Sequence, residues 1–105
     1  MKRSAGHVAT FEVLEGGRSR VLGMLDFTTV TQLLPAGSAA IGSGGAAVID
    51  LGGVSGSDSS GLALLIEWLS VARAAAHSLT YENMPAQLHQ LARLSDVEEL
   101  LVAVA

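Results

Sequence analysis

Two stretches near the start of the chain have the pattern of β-strands. Residues 7–15 carry β-branched and aromatic residues and end at Gly16-Gly17, and residues 18–25 alternate in part between apolar and polar positions. β-Branched and aromatic residues favour strands, and a glycine pair favours a tight turn. The pattern therefore predicts a β-hairpin at the start of the fold.

The middle of the chain predicts a short helix followed by a buried strand. The helix begins at about residue 28, and its end stays open because Pro35 and Gly37 intrude. Residues 37–45 are low in complexity and predict a loop or a frayed helix end. The continuous apolar run at 46–51 is typical of a central strand covered on both faces.

The second half of the chain alternates helices and strands. After a Gly/Ser loop, the pattern predicts a helix over 59–76, a strand over 78–82, a helix beginning at Pro85, and a last short helix after Ser95-Asp96. The order β-β-α-β-α-β-α-α predicts one α/β domain over residues 1–105. Its sheet should be mixed and mostly parallel, with an antiparallel N-terminal hairpin and helices packed on it.

The helix at 59–76 is apolar on more of its circumference than one buried face requires. Its first stripe contains Leu62, Leu65, Ile66, Leu69 and Ala72, and its second contains Leu64, Trp68, Val71 and Ala75. One interpretation packs the second stripe on neighbouring helices of the same domain. The other docks part of it, Trp68 above all, onto another protein, since tryptophan is enriched at interface hot spots.

The start of this helix is the strongest candidate site. Asp58-Ser59-Ser60-Gly61 follows the strand and loop directly, which places a hydroxyl at an exposed helix N-terminus. Asp and Ser are favoured N-caps because their oxygens accept from unpaired backbone N–H groups. The helix dipole favours negative charge at the same point, so a phosphorylated Ser59 would also be stabilised there.

Composition points to a binding protein rather than a catalyst. Charged residues make up only 15% of the chain while half of the residues are hydrophobic, so we expect apolar surface that a partner covers. The net charge is −4 and the six basic residues are scattered, which argues against nucleic-acid binding. The absence of cysteine excludes disulfides and fits the cytoplasm.

The motifs of catalysis are missing from the sequence. There is no Walker-type phosphate loop and no G-x-S-x-G elbow, and the three histidines lie in unrelated elements. Ser59 has no histidine that the sequence places near it to act as a base. We therefore expect no enzyme activity, no cofactor and no metal site.

Three segments together resemble the STAS domain family, the fold of bacterial anti-sigma-factor antagonists. They are residues 50–66 (DLGGVSGSDSSGLALLI), residues 22–26 (LGMLD), which are similar to the family's G-x-L-D segment, and residues 83–91 (NMPAQLHQL), which are similar to its N-x-P-x-x-(V/L) helix start. The resemblance spans roughly residues 10–102. It implies a STAS-type α/β fold.

Within that family, residues 61–69 (GLALLIEWL) and 91–95 (LARLS) look most like the MlaB branch. This branch implies a non-enzymatic cytoplasmic subunit that binds the MlaF-like ATPase of a phospholipid-transport ABC complex, together with its permease. Membrane association would then come only through the complex. The ATPase would contact Asp58, Ser59, Ser60, Gly61, Leu62 and Trp68.

Other functions stay open on the sequence. The main alternative is an anti-sigma-factor antagonist in which phosphorylation of Ser59 breaks docking, since Ser59 aligns with the phosphorylatable residue of those proteins. A free-standing module that binds a small molecule or lipid is a further alternative.

Overall fold

The computed structural model describes residues 7–102, which form eight elements in the predicted order. The four strands are β1 (Ala9–Val13), β2 (Arg18–Leu25), β3 (Ala46–Ser57) and β4 (Ser78–Glu82). The four helices are α1 (Phe27–Gly42), α2 (Ser59–Ala74), α3 (Ala86–Leu94) and α4 (Glu98–Val102). The types and order of the elements confirm the predicted α/β class.

The strands form one mixed sheet in the order β1-β2-β3-β4. β1 and β2 pair antiparallel, whereas β2 with β3 and β3 with β4 pair parallel. α1 connects the parallel strands β2 and β3, and α2 connects β3 and β4. Right-handed crossovers that advance along a sheet in one direction lie on the same face, so both helices cover one face of the sheet. α1 packs on α2, as do α3 and α4, so α2 is the centre of the helical layer.

The core lies between that layer and one face of the sheet. In β2, Ser19, Val21 and Leu25 are buried while Arg18 and Arg20 are exposed, which is the alternation of a strand with one covered face. Leucine, isoleucine, valine and alanine make up the core apart from one tryptophan. Burial of each such aliphatic side chain contributes about 1.5–3 kcal/mol to the stability of the fold.

β3 is longer than predicted, and the expected Gly/Ser loop is wrong. The strand runs through the Gly52-Gly53 pair and Gly56 to Ser57, and its pairing with β2 shifts register twice. A Cβ at Gly53 would lie 2.2 Å from Leu22 Cδ2 and 3.1 Å from the Val21 carbonyl oxygen, so a larger residue there would require the Leu22 side chain to move. Val48 and Asp50 are only half-buried, which also corrects the expectation of a strand covered equally on both faces.

The carboxylate of Asp50 stabilises the first register shift between β2 and β3, which lies between Asp50 and Gly53 of β3. Its Oδ1 accepts hydrogen bonds from the Gly52 backbone N–H at 2.8 Å and from Asn83 Nδ2 at 3.0 Å. These bonds, that of Asn83 first, lower the pKa of Asp50 because they favour the charged form. The irregular part of β3 is thereby tied to the end of β4.

α1 ends at Gly42, so residues 37–42, predicted as a loop or a frayed helix end, belong to the helix. Pro35 lies inside the helix, although proline removes one backbone hydrogen bond and disfavours a helix interior. The helix continues because Leu33, Gly37 and Ile41 form a buried stripe on both sides of Pro35. Tertiary packing therefore outweighs the local preference that the sequence shows.

Candidate partner-docking site

The N-terminus of α2 has the geometry that the sequence predicts. Asp58 is the N-cap, and its Oδ1 accepts from the Ser60 backbone N–H at 2.7 Å. Ser59 is the first helical residue and is exposed, and Ser60 is half-buried. Because Asp58 supplies the cap, Ser59 presents its hydroxyl outward, next to the positive end of the helix dipole.

The backbone beneath Ser59 is held in place by buried contacts. The Ser57 hydroxyl donates to the Asp58 carbonyl oxygen at 2.9 Å, and the Ser57 N–H donates to Gln87 Oε1 at 2.9 Å. A Cβ at Gly61 would lie 2.0 Å from Ser57 Oγ and 2.9 Å from Leu25 Cβ. Glycine at position 61 thus lets α2 start close against the sheet, and the position of Ser59 is set by the core rather than by a loose loop.

Three of the predicted contact residues lie inward instead. Gly61 and Leu62 are buried, so they support the surface without forming it. Trp68 is 0% exposed. Its Nε1–H donates to the Leu34 carbonyl oxygen at 3.2 Å, and its ring packs edge-on against Phe11 with centroids 5.6 Å apart.

The interpretation in which Trp68 docks onto a partner is therefore wrong for the isolated domain. Within the second apolar stripe of α2, Trp68 packs on α1, as the other interpretation of the pattern expects, whereas Ala75 is exposed. The sequence alone could not decide between them, because α1 extends far enough to cover Trp68 only by continuing through Pro35.

A largely apolar groove opens between α1 and α2, beside Ser59. It encloses about 340 Å³. Its walls come from two helical turns of each helix: Phe27, Val30, Thr31 and Leu34 of α1, and Ser60, Ala63, Leu64 and Glu67 of α2. The spacing i, i+3 or i+4, i+7 repeats on both helices, so the groove runs along them for about 10 Å at 1.5 Å per residue.

Phe27 stands at the groove's end near the helix N-termini and is the residue that sequence reasoning missed. Phe27 is 74% exposed, and it continues the apolar lining of the groove, so it belongs to a patch rather than standing alone on the surface. The only sequence signal is that Phe27 immediately follows the capping residue Asp26 and falls outside the buried stripe of α1.

The cap of α1 is well satisfied and positions Phe27. Asp26 Oδ1 accepts from the Thr28 and Thr29 backbone N–H groups, both at 3.0 Å, and the Thr29 hydroxyl accepts from the Asp26 N–H in return. Asp26 Oδ2 also lies 2.5 Å from His7 Nδ1. The hydrogen bond from His7 and those from the backbone lower the pKa of Asp26.

Within residues 7–102 no group of three or more His, Cys, Asp or Glu side chains is placed to hold a metal ion. The nearest described hydrogen-bond partner of the Ser57 hydroxyl is a backbone carbonyl, not a base. The arrangement is suited to contact with another protein: an exposed serine, an exposed aromatic ring and an apolar groove on one surface.

Comparison with known families agrees with the fold. Residues 14–103 match the family model described as "Mlab, STAS domain". The match covers most of the chain, which therefore belongs to the STAS domain family.

Two solved structures share this fold at low sequence identity. The anti-sigma factor antagonist SpoIIAA in its unphosphorylated form is 21% identical, with a TM-score of 0.67 over 87% of this chain and 83% of that chain. The Bacillus cell fate determinant SpoIIAA in the phosphorylated form is also 21% identical, with a TM-score of 0.66 over 86% and 85%. No curated protein sequence matches the chain.

Proposed function

We propose that this STAS domain is a non-enzymatic accessory subunit that binds the ATPase of an Mla-type phospholipid ABC transporter. The transporter's ATPase and permease would be its partners, and the process served would be the maintenance of outer-membrane lipid asymmetry. The description of the matching family model favours this branch. The observation that carries a docking role is the exposed Phe27 beside the apolar groove and Ser59.

The proposed mechanism is stabilisation of the ATPase in its assembled state. An exposed aromatic ring that becomes buried supplies a hot spot, and such residues often contribute more than about 2 kcal/mol to an interface. The low charge content of the chain suits a lasting apolar interface better than a transient one.

The proposed location is the cytoplasmic side of the inner membrane, reached through the ATPase. None of the helices within residues 7–102 has both the length and the hydropathy that crossing a bilayer requires. Contact with the membrane is thus proposed to depend on the complex.

A co-purification experiment tests this function. The tagged chain is co-expressed with the ATPase and permease of an Mla-type transporter from the same genome, and the recovered proteins are identified by mass spectrometry. Phe27→Ala is compared with Leu94→Ala, because Leu94 is 85% exposed on α3 and does not line the groove. We expect the wild type and Leu94→Ala to recover the ATPase and Phe27→Ala to lose most of it. Recovery of no ATPase by the wild type contradicts the proposal.

A second candidate function is an anti-sigma-factor antagonist regulated at Ser59. The exposed position of Ser59 at the first turn of α2 favours it, and SpoIIAA, which shares the fold, is known in a phosphorylated form. Recovery of a serine kinase instead of an ATPase, with phosphate on Ser59 by mass spectrometry, would support this candidate over the first.

A further inference from the structure

Among residues 7–102, the charged side chains that line or flank the groove between α1 and α2 are acidic. Glu67 lines one end of the groove and is exposed. Asp58, also exposed, lies at the other end, two residues before Ser60. Within residues 7–102 no lysine or arginine lines this groove.

The arginines within residues 7–102 lie elsewhere in the fold. Arg18 pairs with Glu82, and Arg20 pairs with Glu12 at 2.6 Å, on the exposed positions of β2. Arg73 and Arg93 lie in the last turns of α2 and α3. Glu67 has no ion-pair partner among the described residues, so its charge is available to a partner.

The shape of the groove matches a helix better than an extended strand. Its walls are two adjacent helices whose lining positions recur at i, i+3 or i+4 and i+7. The α1 wall is apolar apart from Thr31, and the α2 wall is apolar in the middle and polar at both ends. A third helix packs into such a space through the same spacing. Neither wall offers the row of unpaired backbone groups that recognition of a β-strand requires.

We propose that the occupant of this groove is an amphipathic, basic helix of the ATPase. Its apolar side would place about two turns of side chains against Phe27, Leu34 and Leu64, and a lysine or arginine beside that stripe would pair with Glu67. This inference rests on the proposed function and adds the chemistry of the partner segment. Opposite charge at an interface rim speeds association and fixes register.

The test measures the dissociation constant of the purified chain and the ATPase at low and at moderate salt. Glu67→Gln removes the charge and Glu67→Lys reverses it, while Glu15→Gln removes an exposed carboxylate in the hairpin turn, away from the groove. Circular dichroism melts confirm that all four proteins are equally folded, as expected for exposed positions.

We expect Glu67→Gln to weaken binding about threefold and Glu67→Lys at least about tenfold at low salt, with little effect of Glu15→Gln. The difference between the variants should shrink as salt rises. In the docked helix of the ATPase, changing the lysine or arginine beside the apolar stripe to glutamate should restore binding to the Glu67→Lys variant.

The outcomes separate the two proposals. If the ATPase binds the wild type and Phe27→Ala weakens that binding, but Glu67→Lys binds as well as the wild type, the basic helix is wrong and the docking function stands. If the ATPase does not bind the wild type at either salt concentration, the proposed function itself fails.

Discussion

The contact between Gly37 and Trp68 predicts a measurable steric limit in the core. A Cβ built on Gly37 would lie 2.2 Å from both Cε2 and Cζ2 of the Trp68 ring and 2.5 Å from its Nε1. Carbon atoms in favourable contact are about 3.5–4.0 Å apart. Because Trp68 is fully buried and hydrogen-bonded to the Leu34 carbonyl, its ring has little room to move away.

The size of the effect follows from two opposing terms. Replacing a glycine by alanine in an open helical position stabilises a protein by about 0.4–1 kcal/mol. Forcing an extra methyl group into a packed core costs about 1–3 kcal/mol. We therefore expect Gly37→Ala to lower the free energy of unfolding by about 1–2 kcal/mol in total, the steric term being the larger.

Gly42→Ala is the matched control in the same helix. Gly42 is exposed and a Cβ there would meet nothing within 4 Å, so this variant should be neutral or gain up to about 1 kcal/mol. Urea unfolding followed by tryptophan fluorescence and circular dichroism measures both. With a slope of about 1–3 kcal/mol per molar urea, the two midpoints should separate clearly.

A double variant links the cost to the tryptophan ring itself. In a Trp68→Phe background the shorter ring leaves room for the new methyl group, so the added cost of Gly37→Ala should fall toward zero. If Gly37→Ala stabilises the protein as much as Gly42→Ala does, Trp68 is not packed on α1, and its proposed place in the core is refuted.

Three further predictions concern stability. Trp68→Ala should lower the free energy of unfolding, measured in urea, by about 3–5 kcal/mol. An unchanged urea midpoint would mean that Trp68 lies on the surface. Gly61→Ala, whose Cβ would lie 2.0 Å from Ser57 Oγ, should lower the free energy of unfolding by about 1–3 kcal/mol; a rise would contradict the close packing. The pKa values of Asp26 and Asp50 are lowered in the folded protein. Their contribution to the free energy of unfolding is therefore fully present above the ordinary aspartate pKa of about 3.9, and it is lost as the pH falls below that value. Between pH 7 and pH 3 the urea midpoint of Asp50→Asn should fall less than that of the wild type. An equal fall in the two proteins would refute the contribution of Asp50.

Periodicity and capping residues were enough to predict the order of the elements. The hairpin, the strand beginning at Ala46 and the helix after Asp58 all follow from local sequence signals, and the tertiary structure agrees with them. The Asp58 cap and the exposed Ser59 were predictable for the same reason, because a cap depends on residues next to each other in the chain.

The errors arose where distant contacts outweigh local preference. Proline and glycine in α1 suggest an early end, but the buried stripe of Leu33, Gly37 and Ile41 holds the helix together. That extension helps to bury Trp68, because Gly37 packs directly against the Trp68 ring. Phe27 was missed because an aromatic residue after a cap is equally compatible with burial and exposure.

The most direct test of the docking surface is the affinity of the purified chain for the transporter ATPase, measured by titration calorimetry. Wild type, Phe27→Ala and Leu94→Ala are compared after their melting temperatures are shown to agree. Docking through the groove predicts at least about tenfold weaker binding for Phe27→Ala and unchanged binding for Leu94→Ala. Equal affinity for all three proteins, or a loss only with Leu94→Ala, would contradict a docking site between α1 and α2.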